Sequence, residues 1–88
     1  MFEFDPAKSA GNREKHGIDF VEAQRLWLDW NRVEIATLTL DEPRTIVTGC
    51  IDGLHWTAIV THRGGRVRII SVRRARETEV RRYGEQGD

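Results

Sequence analysis

The segment RVRIISVRRARETEVRR, residues 66–82, decides how the rest of the chain is arranged. Residues 67–72 predict a β-strand, because four of these six side chains are β-branched. Residues 75–83 predict a helix, because a glutamate and an arginine stand there four residues apart. Three arginines lie where the strand gives way to the helix: Arg73, Arg74 and Arg76. Cations gathered in this way predict a surface that binds an anion.

The net charge of zero conceals an uneven distribution of charge along the chain. Residues 63–82 hold eight arginines against two glutamates, a formal charge of +6, whereas residues 1–62 carry −4 and residues 83–88 carry −2. The planar guanidinium group can donate hydrogen bonds to two phosphate oxygens at once. The basic segment therefore predicts a phosphate-rich ligand, with RNA as the leading candidate. The alternative is a solvated surface whose charges pair with one another.

The size and composition of the chain exclude several classes of protein. A length of 88 residues, 39% of them hydrophobic, predicts one folded domain, residues 1–88, with a small core. No apolar run approaches the roughly 20 residues of a membrane-spanning helix. The N-terminus lacks the basic and apolar regions of a signal peptide. The single Cys50 excludes an internal disulfide, so we expect a cytoplasmic protein that is not associated with a membrane.

The periodicity of the N-terminal third predicts a short strand and two helices. The strand covers residues 2–5, and the first helix covers residues 6–16 and ends at Gly17. The second helix begins at the cap residue Asp19. Its apolar side chains recur at helical spacing and are expected to form the main ridge of the core: Phe20, Ala23, Leu26, Trp27 and Trp30.

The remainder of the chain predicts a four-stranded antiparallel meander, which makes the fold class α+β. The predicted strands cover residues 33–40, 45–51, 54–61 and 67–72, with turns at residues 41–44, 52–53 and 62–65. The turn at Asp52–Gly53 is a two-residue hairpin signal. The C-terminal helix covers residues 75–83, and residues 84–88 are expected to form a frayed tail. The two N-terminal helices are expected to pack on one face of this sheet.

The hairpin turn determines which side chains share a face of the sheet. It pairs Gly49 with Trp56 on the face that the helices cover, and Cys50 with His55 on the other. Continued alternation places Val67, Ile69 and Ser71 on the Trp56 face, and Arg66, Arg68, Ile70 and Val72 on the His55 face. The His55 face is then left open and basic. It is a candidate cradle for single-stranded nucleic acid, and a docking surface for a protein is the alternative.

The residue types available favour one kind of chemistry. The chain has no zinc-binding pattern, no glycine-rich phosphate loop and no nucleophile signature, so no metal or cofactor is expected. Cations, histidines and carboxylates suit metal-independent RNA cleavage by acid–base and electrostatic catalysis. Arg68 is a candidate phosphate ligand, and His16 and His55 are candidate acids or bases. Arg73 and Arg74 stand beside the predicted helix start, where an anion is favoured; a salt bridge to acidic residues is the alternative.

Two motifs at opposite ends of the chain are distinctive. The first comprises Phe2-Glu-Phe-Asp5, Lys8, Asn12, Lys15-His16-Gly17, Phe20 and Glu22-Ala23. The second comprises Arg68-Ile-Ile-Ser-Val-Arg73, Ala75, Glu79 and Tyr83. Arg44, Gly49 and the Asp52–Gly53 hairpin lie between them. In this order and spacing, the motifs resemble the BrnT family of type II toxins over residues 2–83, with Phe4 where the family more often has tryptophan.

The resemblance implies a RelE-like fold and a ribonuclease that halts translation. It also implies a ribbon-helix-helix antitoxin of the BrnA type, in a complex of two toxins and two antitoxins that reaches operator DNA only through the antitoxin. Combined with the face assignments, it predicts two groups of site residues. The catalytic group is Arg68, Arg73, His16 and Lys15. The RNA-binding group is Arg44, Arg66, Arg74 and His55. A non-catalytic interaction module that uses the same surface is the alternative.

Overall fold

The computed structural model describes residues 1–38 and 42–85 and has the predicted α+β class. Its elements, in chain order, are β1 (Phe2–Glu3), α1 (Pro6–His16), α2 (Phe20–Ala23), a 3₁₀ helix (Gln24–Leu28), β2 (Val33–Leu38), β3 (Pro43–Ile51), β4 (Leu54–Arg63), β5 (Arg66–Arg74) and α3 (Glu77–Glu85). Residues 39–41, part of the predicted second strand and the turn after it, lie outside the described residues. None of the helices in the described ranges is long and apolar enough to cross a membrane.

The sheet differs from the prediction in the number of its strands. It has five, in the order β1-β5-β4-β3-β2, and the four-stranded meander is only part of it. Strands β2 to β5 pair antiparallel, whereas β1 pairs parallel to β5. The sequence indicates the short N-terminal strand but not its place. A backbone hydrogen bond of 2.8 Å from Val67 to the Met1 carbonyl holds it against the outer edge of β5.

Helix α1 has the predicted ends for the predicted reasons. The Asp5 carboxylate accepts a hydrogen bond of 2.8 Å from the backbone of Ala7, and proline follows at the first helical position. Gly17 closes the helix in the left-handed region, at φ 82°. Because α1 has few apolar residues, hydrogen bonds fasten it to its neighbours. The buried Ser9 accepts from the backbone of Phe20 at 2.9 Å.

The second predicted helix is shorter than the pattern indicates, and the prediction that Trp30 packs in the core is wrong. After four residues α2 gives way to the 3₁₀ helix, which ends at Leu28 and is followed by the cap residue Asp29. There the Asp29 carboxylate accepts from the backbone of Cys50 in β3 at 2.8 Å, so the chain turns towards the sheet. Phe20, Ala23 and Leu26 are buried as predicted, whereas Trp30 is 96% exposed.

A β-bulge interrupts the pairing of β5 with β4. Ile59 pairs with Ser71 and Val60 pairs with Ile69, which leaves Ile70 without a partner residue on β4. A bulge adds one residue to a strand, so it reverses the alternation of side chains beyond it.

The reversal corrects two of the predicted face assignments. Before the bulge, Val67 and Ile69 face the core as predicted. Beyond it, Val72 pairs with the buried Ala58 and has no exposed surface, whereas Ser71 lies on the opposite face. The predictions for Val72 and Ser71 were therefore wrong, because the sequence pattern alone does not reveal the extra residue.

The core lies between the N-terminal helices and the sheet face that carries Trp56, here called the core face. Helix α3 packs on the opposite face, here called the His55 face. It begins at Glu77, two residues later than predicted, and its last turn includes Gly84 and Glu85. The rest of the predicted tail, residues 86–88, lies outside the described residues.

Candidate functional site

The junction between β5 and α3 is organised around Glu79. This carboxylate is 7% exposed and makes a bidentate ion pair with Arg73, with N···O distances of 2.8 and 2.9 Å. It also accepts from the Thr57 hydroxyl at 3.0 Å and from the backbone of Arg76 at 2.8 Å. The Arg73 hydrogen bonds lower the pKa of Glu79 to about 2. The same bonds raise the pKa of Arg73.

Glu79 thus occupies the place where the sequence predicts an anion. The backbone N–H of Arg76, at the start of α3, already has a carboxylate acceptor. Arg73 therefore forms a salt bridge with Glu79, which is the predicted alternative to binding an external anion. Its side chain is partly exposed, and of its five N–H donors two bind Glu79 and a third contacts the carbonyl of Arg74 at 3.3 Å.

The other end of the His55 face carries a group of arginines. In the strand registers Arg63 pairs with Arg66, Thr61 with Arg68 and Thr37 with Arg44. Because side chains alternate along a strand, all of these residues lie on the same face as Thr57, which is the His55 face. Helix α3 covers the end with Glu79, so the predicted open face is open only at this end. The four arginines are called the basic cluster: Arg44, Arg63, Arg66 and Arg68.

The carboxylates near the basic cluster hold it loosely. Glu3 Oε2 lies 3.7 Å from Arg66 Nη1, and Glu3 Oε1 lies 3.9 Å from Arg68 Nη1. Arg63 lies 3.6 Å from a Glu42 carboxylate oxygen. These distances exceed those of a hydrogen bond, in contrast to the Arg73–Glu79 pair. The arginines therefore keep donors for an external anion.

His55 and Arg74 lie at the hairpin end of the sheet, away from the basic cluster. The His55 ring packs edge-on against Tyr83, with centroids 5.0 Å apart. Arg74 donates to the His55 carbonyl at 3.3 Å, and its guanidinium carbon lies 5.4 Å from the ring centroid of Trp56. Because the bulge places Arg74 opposite Trp56, these two predicted ligands project from different faces.

Lys15 and His16 lie exposed in the last turn of α1. One turn earlier, the buried Asn12 accepts a hydrogen bond of 3.2 Å from the backbone of Val72. Residues three and four positions apart adjoin on a helix. The end of α1 therefore stands beside the part of β5 that continues into Arg73.

The eight predicted residues are all at least partly exposed, but they do not converge on one site. Arg44, Arg66 and Arg68 lie at the basic end of the His55 face, whereas Arg73, Arg74, His55, Lys15 and His16 lie towards the other end of the sheet. Two surface cavities of about 300 Å³, one beside Tyr83 and one beside Trp56, are lined by none of the eight predicted site residues. An open surface suits a polymer better than a small molecule, which is usually enclosed.

Comparison with known families decides what kind of protein has this surface. A family model described as ribonuclease toxin, BrnT, of type II toxin-antitoxin system matches residues 4–79. The chain belongs to the BrnT family. Comparison with curated proteins yields no match. Membership implies a ribonuclease toxin with an antitoxin partner, and all eight predicted site residues of this BrnT-family chain lie within the matched range.

Sequence reasoning missed three residues that organise the surface of this BrnT-family toxin. Glu79 follows Arg76 by three residues at a helix start, a capping-box spacing that could have revealed it. Asn12 belongs to the N-terminal motif, but its position in the sequence gives no sign that it is buried and accepts a hydrogen bond from β5. Glu3 had no local signal, because its contacts with the basic cluster depend on the pairing of β1 with β5.

Proposed function

We propose that this BrnT-family protein is a metal-independent endoribonuclease whose cleavage of cytoplasmic RNA inhibits translation. The observation that carries this proposal is the match of residues 4–79 to a family of ribonuclease toxins. A ribbon-helix-helix antitoxin of the BrnA type is its neutralising partner, in a complex of two toxins and two antitoxins. In that complex the antitoxin provides the contact with operator DNA.

In this proposal the basic cluster holds the RNA backbone. Arg63 and Arg66 are more than half exposed, and the Glu3 oxygens lie 3.7 and 3.9 Å from Arg66 and Arg68, so these guanidinium groups can donate to phosphate oxygens. Arg44, Arg66 and Arg68 are binding residues. Arg68, which the sequence placed in the catalytic group, lies at the end of β5 away from Arg73 and the end of α1, so it binds a different phosphate from the one that reacts. Arg74 and His55 are binding residues at the hairpin end of the sheet. Because they project from different faces, they contact different segments of the RNA.

In this proposal, residues at the C-terminal end of α1 carry out the proton transfers. A base removes the proton from the 2′-hydroxyl of the substrate, and the 2′-oxygen attacks phosphorus. The bond from phosphorus to the 5′-oxygen breaks, and an acid protonates the departing oxygen. The exposed His16 acts as acid or base, and the neighbouring Lys15 provides a cation. Arg73 contributes its donors beyond those bound to Glu79, while that ion pair fixes its orientation.

The test is incubation of the purified protein with RNA in the presence of EDTA. We expect cleavage that leaves a 2′,3′-cyclic phosphate and a 5′-hydroxyl, and no cleavage of an otherwise identical RNA with 2′-O-methyl groups. Equal cleavage of the methylated RNA would contradict attack by the 2′-oxygen. Loss of cleavage in EDTA with recovery on adding Mg²⁺ would contradict metal independence.

A second candidate function is a non-catalytic module that binds RNA or an acidic protein. The observation that favours it is the Arg73–Glu79 ion pair, which neutralises one of the predicted catalytic cations. Under this alternative, RNA stays intact in the EDTA experiment while binding remains tight. The steep loss of affinity with rising salt would be shared by both functions, so cleavage is the discriminating measurement.

A further inference from the structure

One row of side chains crosses the whole sheet at its basic end. Register pairs Thr37 with Arg44, Thr61 with Arg68 and Arg68 with Glu3. Thr45 pairs with Val60. Because β3 and β4 are antiparallel, Arg44, the residue before Thr45, lies beside Thr61, the residue after Val60. Arg44 and Arg68 therefore flank Thr61 from the two neighbouring strands. With strands about 4.8 Å apart, their backbones are about 10 Å apart, and both long side chains can reach the space above Thr61.

Two polar atoms in this row have no hydrogen-bond partner among the described residues. Thr61 is 2% exposed, and its hydroxyl makes no hydrogen bond within residues 1–38 and 42–85. Across the same ranges, the buried Nε of Arg44 is also without a hydrogen-bond partner. Buried polar groups are nearly always hydrogen-bonded in folded proteins. Two adjacent exceptions, both able to donate, indicate a place that is completed by an external acceptor.

Glu3 supplies a negative charge beside Arg68 at the edge of this row. Its carboxylate lies between Arg66 and Arg68, at 3.7 and 3.9 Å, and forms a hydrogen bond with neither. It balances the arginines through space without saturating their donors. Like a phosphodiester, this carboxylate carries one negative charge and presents two oxygens to the guanidinium groups.

We propose that Arg44, Arg66 and Arg68 bind one backbone phosphate of RNA, with the Thr61 hydroxyl as an added donor. Glu3 is the internal counter-ion that this phosphate displaces. The negative charge of Glu3 weakens RNA binding and keeps the arginines oriented when the site is free. This inference rests on the proposed function for the choice of RNA, and it adds a residue, Glu3, that limits the affinity of the site.

The observations favour RNA over an acidic protein segment. Phosphodiester oxygens match the fork of donors on each arginine. Beside the row, on the same face, lie the half-buried side chains of Ile46 and Ile59, which offer an apolar surface to a nucleoside. A poly-glutamate peptide has no group that would use both features.

The probe is a fluorescent 2′-O-methyl RNA hexamer, which binds but cannot react through its 2′-oxygen. Fluorescence anisotropy gives the dissociation constant of each variant, and thermal unfolding checks that each is folded. Glu3→Gln is expected to tighten binding about three- to tenfold, because it removes a competing charge. Arg44→Ala is expected to weaken binding about tenfold, as loss of a charged hydrogen bond does. It should also reduce the slope of log K against log salt by about 0.7.

Matched controls come from the exposed pair on α3. Glu77→Gln and Arg81→Ala make the same charge changes away from the row and are expected to leave the dissociation constant within twofold of the wild type. Thr61→Val removes the hydroxyl at constant shape. It should weaken binding of the hexamer while the melting temperature stays equal or rises, since no internal hydrogen bond is lost.

The proposal is overturned if Glu3→Gln and Glu77→Gln have equal affinities, or if Arg44→Ala binds the hexamer as Arg81→Ala does. It is also overturned if a poly-glutamate peptide binds the row and the hexamer does not. These outcomes are separable from the proposed function, because the hexamer is never cleaved. Cleavage of unmodified RNA without the expected binding pattern would refute this site alone. The expected binding pattern without cleavage of RNA would refute the ribonuclease and leave the site.

Discussion

Substitution of Glu79 by glutamine should destabilise the protein far more than the same substitution at Glu77. The Arg73 hydrogen bonds lower the pKa of Glu79 from 4.5 to about 2. At about 1.4 kcal/mol for each pH unit, this corresponds to about 3 kcal/mol of stability at neutral pH. Glutamine keeps the shape but leaves Arg73, whose side chain is only 22% exposed, without its counter-ion.

Glu77→Gln is the matched control for this change. Glu77 also pairs with an arginine on α3, Arg81, at 3.0 Å, but the two side chains are 88% and 62% exposed. Exposed i,i+4 pairs contribute about 0.3–0.5 kcal/mol. Urea unfolding followed by tryptophan fluorescence at pH 7 should therefore show a loss of about 2–3 kcal/mol for Glu79→Gln and less than about 0.5 kcal/mol for Glu77→Gln.

The pH dependence supplies an independent check on the cause. A carboxylate whose pKa is lower in the folded state stabilises fully above its unfolded value and loses that contribution as pH falls through the folded value. The stability difference between wild type and Glu79→Gln should therefore be constant above about pH 5 and shrink between pH 4.5 and 2. A difference that stays the same from pH 7 to pH 2.5, or equal losses for the two glutamine variants, would refute the reasoning.

Three further outcomes are expected. Arg68→Ala should abolish growth inhibition on expression and keep its melting temperature, whereas Arg81→Ala should remain toxic; full toxicity of Arg68→Ala would contradict the role of Arg68 in holding RNA. Trp30→Ala should cost less than about 0.5 kcal/mol in urea unfolding, because the side chain is 96% exposed. By contrast, Leu26→Ala should lower the free energy of unfolding by about 2–5 kcal/mol, because Leu26 is fully buried. Tyr83, the single tyrosine, should ionise with a pKa of about 12 in an absorbance titration, because its hydroxyl donates to Asp29; a midpoint near 10 would contradict that bond.

The sequence by itself determined the features that arise from neighbouring residues. An aspartate and a proline begin α1, and Gly17 ends it, because these residues satisfy or release the backbone groups at a helix end. The Asp52–Gly53 turn determined the register of β3 with β4, since a two-residue loop permits one pairing. Those features, with the two spaced motifs, were sufficient for the α+β class and for the family.

The tertiary structure alone decided how the arginines are used. The extra residue at Ile70 reverses the faces of β5, and a one-residue slip leaves no trace in a run of β-branched side chains. The pairing of Glu79 with Arg73 joins a helix to a strand across the His55 face, and that of Glu3 with Arg68 joins the two ends of the chain. Local periodicity carries no information about such distant contacts, because they exist only once the sheet and its helices have packed.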